Sequence, residues 1–279
     1  LTAAEACRTR QFWLLWLVLC LNVSAGIGVI GMASPMLQEV FGGRLLGIDA
    51  PLDRLDAAEA GRVAAIGAGF TGLLSLFNIL GRFFWSALSD RIGRQATYAV
   101  FFLLGMLLYA TVPALGRAGN VPLFCAALCA ILTMYGGGFA AIPAYLADLF
   151  GTASVGAIHG RLLTAWSVAG ILGPVVVNSF TARQVAAGIP QARSYDRTML
   201  MLAGLLAVGF VCNLLVRPLA PAAADGRAAP PPQAPAAAWH RPRLSAAALA
   251  LRAAFWLLVA VPLAWGMCMT LGQAWALRG

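Results

Sequence analysis

Lysine is absent from this 279-residue chain, and all 19 of its basic residues are arginine. That excludes Schiff-base and lysine-relay chemistry outright. Charge of either sign is scarce: 10% of residues are charged, against about 25% in a soluble globule. With 61% hydrophobic residues and a mean hydropathy of +0.83, the composition belongs to a polytopic all-α membrane protein. Histidine occurs only twice, and the six cysteines include no C-x-x-C pair, so no metal site is expected. Cys20, Cys125, Cys129, Cys212 and Cys268 lie in apolar runs and read as small hydrophobes, with Cys7 just before one. There is no G-x-S-x-G, no H-E-x-x-H and no acidic cluster within the apolar runs. A membrane-embedded enzyme therefore lacks its catalytic set, and no cofactor is expected. The net charge of +9 is scattered between apolar runs rather than gathered on one face, which argues against a nucleic-acid partner.

What the chain does have is apolar runs of the length a bilayer needs. Seven are laid out at roughly 12–41, 63–89, 97–115, 122–149, 162–182, 198–216 and 253–276, each near the ~20 residues that cross the hydrocarbon core. The first six are joined by short loops. Residues 218–252 form a tract dominated by alanine and proline, with Pro230, Pro231 and Pro232 at its middle; such a composition reads as an extended linker. The expected division is a six-helix bundle over 1–217, the linker over 218–252, and an appended transmembrane helix over 253–279. Arg91 and Arg94 are placed on the cytoplasmic side by the positive-inside rule, while the loop 42–61 on the other side also carries Asp49, Asp53, Asp56 and Glu59. No cleavable signal peptide is evident, and a chain opening on Leu1 is expected to continue a longer one.

Two G-x-G-x-x-G matches, at Gly26–Gly31 and Gly67–Gly72, lie inside long apolar runs with no strand before them. They are read as helix-packing glycines, not a dinucleotide fingerprint. The informative stretch is Gly81-Arg-Phe-Phe-Trp-Ser-Ala-Leu-Ser-Asp-Arg-Ile-Gly-Arg-Gln95. Arg82 breaks an apolar run, and an arginine at membrane depth costs roughly 2.5–3.5 kcal/mol on insertion scales, so it belongs against protein or a wet cavity. The alternative is a side chain snorkelling to the cytoplasmic surface. Asp90-Arg91-Ile92-Gly93-Arg94 then makes a tight reversal, read either as a solvated topology turn or as a latch in which Asp90 pairs with a basic neighbour. Gly136-Gly137-Gly138 with Pro143 concentrates helix-weakening residues in one span, and Gly170-x-x-Gly173-Pro174 does so in the next. Both read as bending sites or as close packing points. Glu39 and Asp148, near opposite ends of their runs, could serve proton coupling but lie near enough to the surface to read as solvated carboxylates, and His159 reads as a loop residue without chemistry.

Ser86-x-x-x-Asp90-Arg91-x-Gly93-Arg94 resembles the loop signature of the major facilitator superfamily, with Ser86 where glycine is usual and Gln95 where a basic residue is usual. Those departures suit the copy in the C-terminal half of the fold. Gly81–Trp85, Tyr135–Gly151 and His159–Trp166 together resemble the oxalate/formate antiporter family over residues 11 to 217. The resemblance implies that the first six runs are helices seven to twelve of that fold, with an N-terminal six-helix bundle as partner. It implies localisation to the bacterial inner membrane and transport of a small carboxylate by alternating access, through exchange or proton coupling. It makes Arg82 a substrate-binding residue, since an arginine in helix eight of such carriers holds the carboxylate. Asn78, Tyr135 and Trp166 are further candidates for the cavity wall; for the two aromatics an interfacial belt position is the other reading. Asp90, Arg91, Gly93, Arg94, Gly137, Pro143, Gly173 and Pro174 are the candidate conformational residues. The family's oxalate carrier also uses a lysine in helix eleven. With no lysine here, a single fixed cation suits a monocarboxylate such as formate, lactate or pyruvate better than a dianion. The appended helix, with Trp256, Pro262, Trp265 and Trp275, resembles a transporter small subunit. It also leaves open a non-transporting assembly or sensor protein built on a transporter half.

Overall fold

A computed structural model describes residues 1–219. The expected appended helix, and the linker apart from its first two residues, lie outside the described residues. Within them, a short α1 (Ala3–Ala6) precedes α2 (Arg10–Phe41), α3 (Ala57–Ile92), α4 (Arg94–Arg117), α5 (Val121–Phe150), α6 (Val155–Leu162), α7 (Thr164–Ala186) and α8 (Gln191–Leu215), and two 3-10 turns, Gly42–Leu46 and Leu52–Arg54, link α2 to α3. Six helical segments are long and apolar enough to cross a membrane, with α6 and α7 forming one of them.

The helices outrun the apolar runs that betray them. α3 has 36 residues, about 54 Å at 1.5 Å per residue, against a hydrocarbon core of about 30 Å. Its polar end is helical because Asp56 and Glu59 form a reciprocal capping box, with the Glu59 amide donating to Asp56 at 2.7 Å and the Asp56 amide to Glu59 at 3.1 Å. Likewise α5 begins on Asn120, whose side chain accepts from the Leu123 amide at 3.1 Å. The expected loop around His159 is instead α6: Ser154 to Leu162 carries no breaker but small glycines, and the buried Ile158 and Leu162 pin it to the bundle.

α2 is the centre of the bundle, packed against α3, α5, α7 and α8, while α4 bridges α5 and α8 on the outside. Its window of greatest hydropathy is 72% buried, against 22% in α3 and 28% in α7. Those two helices therefore turn most of their surface outward, displaying Phe83, Phe84, Ile171 and Val175. Outward apolar side chains are what a membrane or a second bundle requires.

The closest seam runs between α3 and α5. A Cβ on Gly81 would collide with the backbone of Thr133, and one on Gly136 with the carbonyl of Asn78. Only residues without a side chain allow such an approach, and in lipid it is van der Waals packing of this kind that holds helices together. Trp85 closes the seam lower down, donating from Nε1 to Thr133 Oγ1 at 3.1 Å. Gly81→Ala is expected to lower folded-state stability in detergent by about 1–3 kcal/mol through overpacking. Gly72→Ala, on the same helix but facing open space, should leave the melting temperature unchanged or raise it, so thermal melts of the pair test the seam.

Candidate functional site

Gly81 is pinned against α5, and consecutive helix residues point about 100° apart, so Arg82 is turned out of the seam. It is exposed on the open face of α3, about 15 Å along the axis from the Ile92 end. Its Cζ lies over the ring of Phe139 on α5, 6.0 Å from the centroid. Phe139 in turn meets Tyr135 edge-on at 5.3 Å and Trp166 of α7 edge-on at 5.8 Å. Three helices thus supply one cluster, a guanidinium beside a row of aromatic rings. Arg82 makes no ion pair among the described residues. An aromatic face engages the plane of a guanidinium and leaves its in-plane N–H donors available for a carboxylate.

Of the four residues expected to contact substrate, Arg82, Tyr135 and Trp166 meet through Phe139. The fourth, Asn78, sits one turn along α3 in the seam itself, its Oδ1 against Gly136, buried and without a hydrogen-bond partner. Sequence reasoning missed Phe139, although it stands four residues after Tyr135 and so shares its helix face. Tyr135 is held in place by α2, where its ring fills the space above Gly26.

The Asp90–Arg94 turn is tied down by polar contacts. Gly93 ends α3 and starts α4 with φ 86° and ψ 153°, a region open essentially to glycine alone. Arg94 donates to the Ser89 hydroxyl and pairs with Asp90, and its Nε lies 3.7 Å from Asp148 on α5. Asp148 is therefore more than a solvated carboxylate, although its side chain remains 64% exposed. Arg91 is exposed and makes no ion pair among the described residues. Gln95, in the place of the usual basic residue, donates to the carbonyls of Asn213 and Val216 at 2.8 and 2.9 Å, and Asn213 Nδ2 returns a bond to the Gln95 carbonyl at 2.9 Å. An amide can donate to the end of α8 and needs no counter-charge.

Gly137 packs on Trp85, and Gly173 on the Ser24 carbonyl of α2 beside Pro174. Pro143 lies inside α5 and does not end it. At the other end of the bundle, Glu39 is half-buried and accepts from the Tyr195 hydroxyl of α8 at 2.9 Å. The expectation of a solvated carboxylate fails there because α8 folds back across the end of α2.

Six apolar spans among the described residues and a glycine-lined seam define an integral membrane protein of the all-α type. The family model described as Major Facilitator Superfamily matches residues 15–277, and the chain belongs to that superfamily. It is 31% identical over 171 residues to a protein named oxalate:formate antiporter from Oxalobacter formigenes, covering 61% of this chain and 36% of that relative. It is 27% identical over 175 residues to an uncharacterized MFS-type transporter, YhjX, from Escherichia coli (strain K12), covering 61% of this chain and 37% of the relative. The chain thus spans little more than a third of the length of the curated relatives it matches.

Arg94→Ala should cost about 1–2 kcal/mol of stability, since it removes a mostly buried hub whose carboxylate partners are largely exposed. Arg91→Ala should stay within about 0.5 kcal/mol of the parent. Chemical denaturation followed by tryptophan fluorescence compares the two.

Proposed function

We propose that this chain is the substrate-holding C-terminal half of a carrier for small organic anions, with Arg82 as the residue that holds the carboxylate. The observation that carries the reading is the Arg82–Phe139 contact, with Tyr135 and Trp166 completing the ring. It supplies a fixed positive charge on an open face, backed by aromatic rings; a second bundle packed over that face would exclude water and strengthen the charge. In this reading a second six-helix bundle packs on the α3 and α7 face. The two bundles rock about the anion in alternating access, by exchange or with a proton. The name of the Oxalobacter formigenes relative supports anion exchange as the first activity to test.

Charge count argues for a monocarboxylate. One guanidinium pairs one carboxylate through two parallel hydrogen bonds, whereas the second carboxylate of oxalate would be desolvated without a partner. The Asp90–Arg94–Asp148 latch gives the rocking motion a contact to break, since it joins the ends of α3 and α5 through the first residue of α4. Gly137, Pro143, Gly173 and Pro174 are the positions at which α5 and α7 would bend. The reaction is translocation, and no residue in it acts as a catalyst of bond cleavage.

The test is reconstitution of the complete reading frame in proteoliposomes, with uptake of labelled formate measured against internal formate, oxalate, lactate or pyruvate. Exchange stimulated by an internal monocarboxylate supports the reading. Arg82→Ala should reduce exchange at least a hundredfold at unchanged expression, and Arg82→Lys about tenfold, because an ammonium cannot form the fork. Full exchange by Arg82→Ala would move the anion site away from Arg82, and no exchange by the folded parent would leave a non-transporting assembly or sensor protein as the better description.

A further inference from the structure

Away from the Arg82 cluster, three arginines line one cavity among the described residues, at the bundle end opposite Asp90 and Arg94. α4 runs from Arg94 to Arg117, so the two ends stand about 35 Å apart. There α2, α4, α5 and α8 surround a cavity of about 220 Å³ lined by Arg44, Arg117 and Arg193, with Val40, Phe124 and Met199 among the apolar groups of its wall. Arg44 is paired with Asp49 at 3.2 Å, and Arg117 with Asp196. Arg193 is exposed and makes no ion pair among the described residues. Glu39, at the same end, accepts from the Tyr195 hydroxyl, so Arg193 is the lining guanidinium left without an ion-pair partner among the described residues, at the mouth of an apolar recess. Arg193 also stands in the first turn of α8, whose N-cap, Pro190, provides no side-chain cap, so the positive end of that helix adds to the field.

We infer that this cavity is a second anion site, for a monoanion that carries a short apolar tail, with Arg193 as its charged contact. The charge at the rim suits one negative group, and the wall of Val40, Phe124 and Met199 suits hydrocarbon. The volume corresponds to roughly seven water molecules at ~30 Å³ each, which matches an anion of about eight heavy atoms. Formate and phosphate would leave the apolar wall unfilled. The inference goes beyond the proposed transport, because binding here requires neither Arg82 nor movement of a second bundle. The same chemistry occurs in a dissolved short-chain carboxylate and in the anionic headgroup region of a lipid.

The probe is hexanoate, titrated calorimetrically into the 279-residue chain in phosphatidylcholine nanodiscs, with hexanol and inorganic phosphate as comparators. Saturable binding of hexanoate is expected, with much weaker binding of both comparators. Arg193→Gln should weaken hexanoate about tenfold, Val40→Phe should do so by filling the recess, and Arg82→Gln should leave the affinity unchanged. If phosphatidylglycerol in the disc weakens hexanoate for the parent but not for Arg193→Gln, a headgroup is the occupant; if it has no effect, a dissolved carboxylate is. Either result upholds the site. The inference is overturned if Arg193→Gln or Val40→Phe binds like the parent, if hexanol binds as tightly as hexanoate, or if no binding saturates. Loss of hexanoate binding in Arg82→Gln would overturn it too, since the anion would then sit at the Arg82 cluster. Because exchange is read separately in proteoliposomes, failure here leaves the transport reading standing.

Discussion

The backbone-to-backbone approach of α3 and α5 at Gly81 and Gly136 is the contact on which the rest depends. It is made without side chains and fixes the distance and rotation of the two helices, with the Trp85–Thr133 hydrogen bond beside it. Fixing the rotation of α3 at Gly81 decides where Arg82 points. Fixing α5 at Gly136 decides where Tyr135 and Phe139 point. The cation–aromatic contact at 6.0 Å is therefore a consequence of helix packing and not its cause. This is a sound division of labour inside a membrane. A charged group that also had to hold helices together would be satisfied by protein and have nothing left for a ligand.

Polar bonding is concentrated instead at the two ends of the bundle. Arg94 gathers Ser89, Asp90 and Asp148, and Gln95 exchanges hydrogen bonds with the end of α8, all beside the turn after α3. At the opposite end Glu39 meets Tyr195, Arg44 meets Asp49 and Arg117 meets Asp196. Between them the hydrogen bonds are few and specific, such as Tyr98 donating to the Gly138 carbonyl at 2.6 Å. Water at the ends screens and competes with ion pairs, so those contacts are weak enough to break when helices shift. The middle has no such solvent and relies on shape.

The buried asparagines mark places where this rule is relaxed. Asn22 Nδ2 and Asn78 Oδ1 are buried without hydrogen-bond partners, one beside Gly138 and the other beside Gly136. An unsatisfied buried amide costs free energy, and both flank the glycine stretch of α5. That stretch lies between Tyr135 and Phe139, the aromatic pair beside Arg82, and its Gly138 carbonyl accepts from Tyr98.

The sequence by itself determined the environment and the number of described membrane spans. Apolar runs of bilayer length require helices, because backbone groups in hydrocarbon must bond within their own segment; the six described spans follow. The cost of a lone guanidinium at that depth singled out Arg82, and the glycine in Asp90–Arg94 announced the reversal that Gly93 makes with a positive φ. Helix ends were less legible, since the capping boxes and polar turns that extend α3 carry no hydropathy signal. Tertiary structure alone decided which residues meet. Phe139 joins Arg82 because α5 lies against α3, and Glu39 is withdrawn from solvent because α8 returns across α2. Nothing local in the chain encodes either pairing. Arg44, Arg117 and Arg193 look like scattered topology charges in one dimension. They become neighbours only because alternating helices bring every second loop to the same end of the bundle.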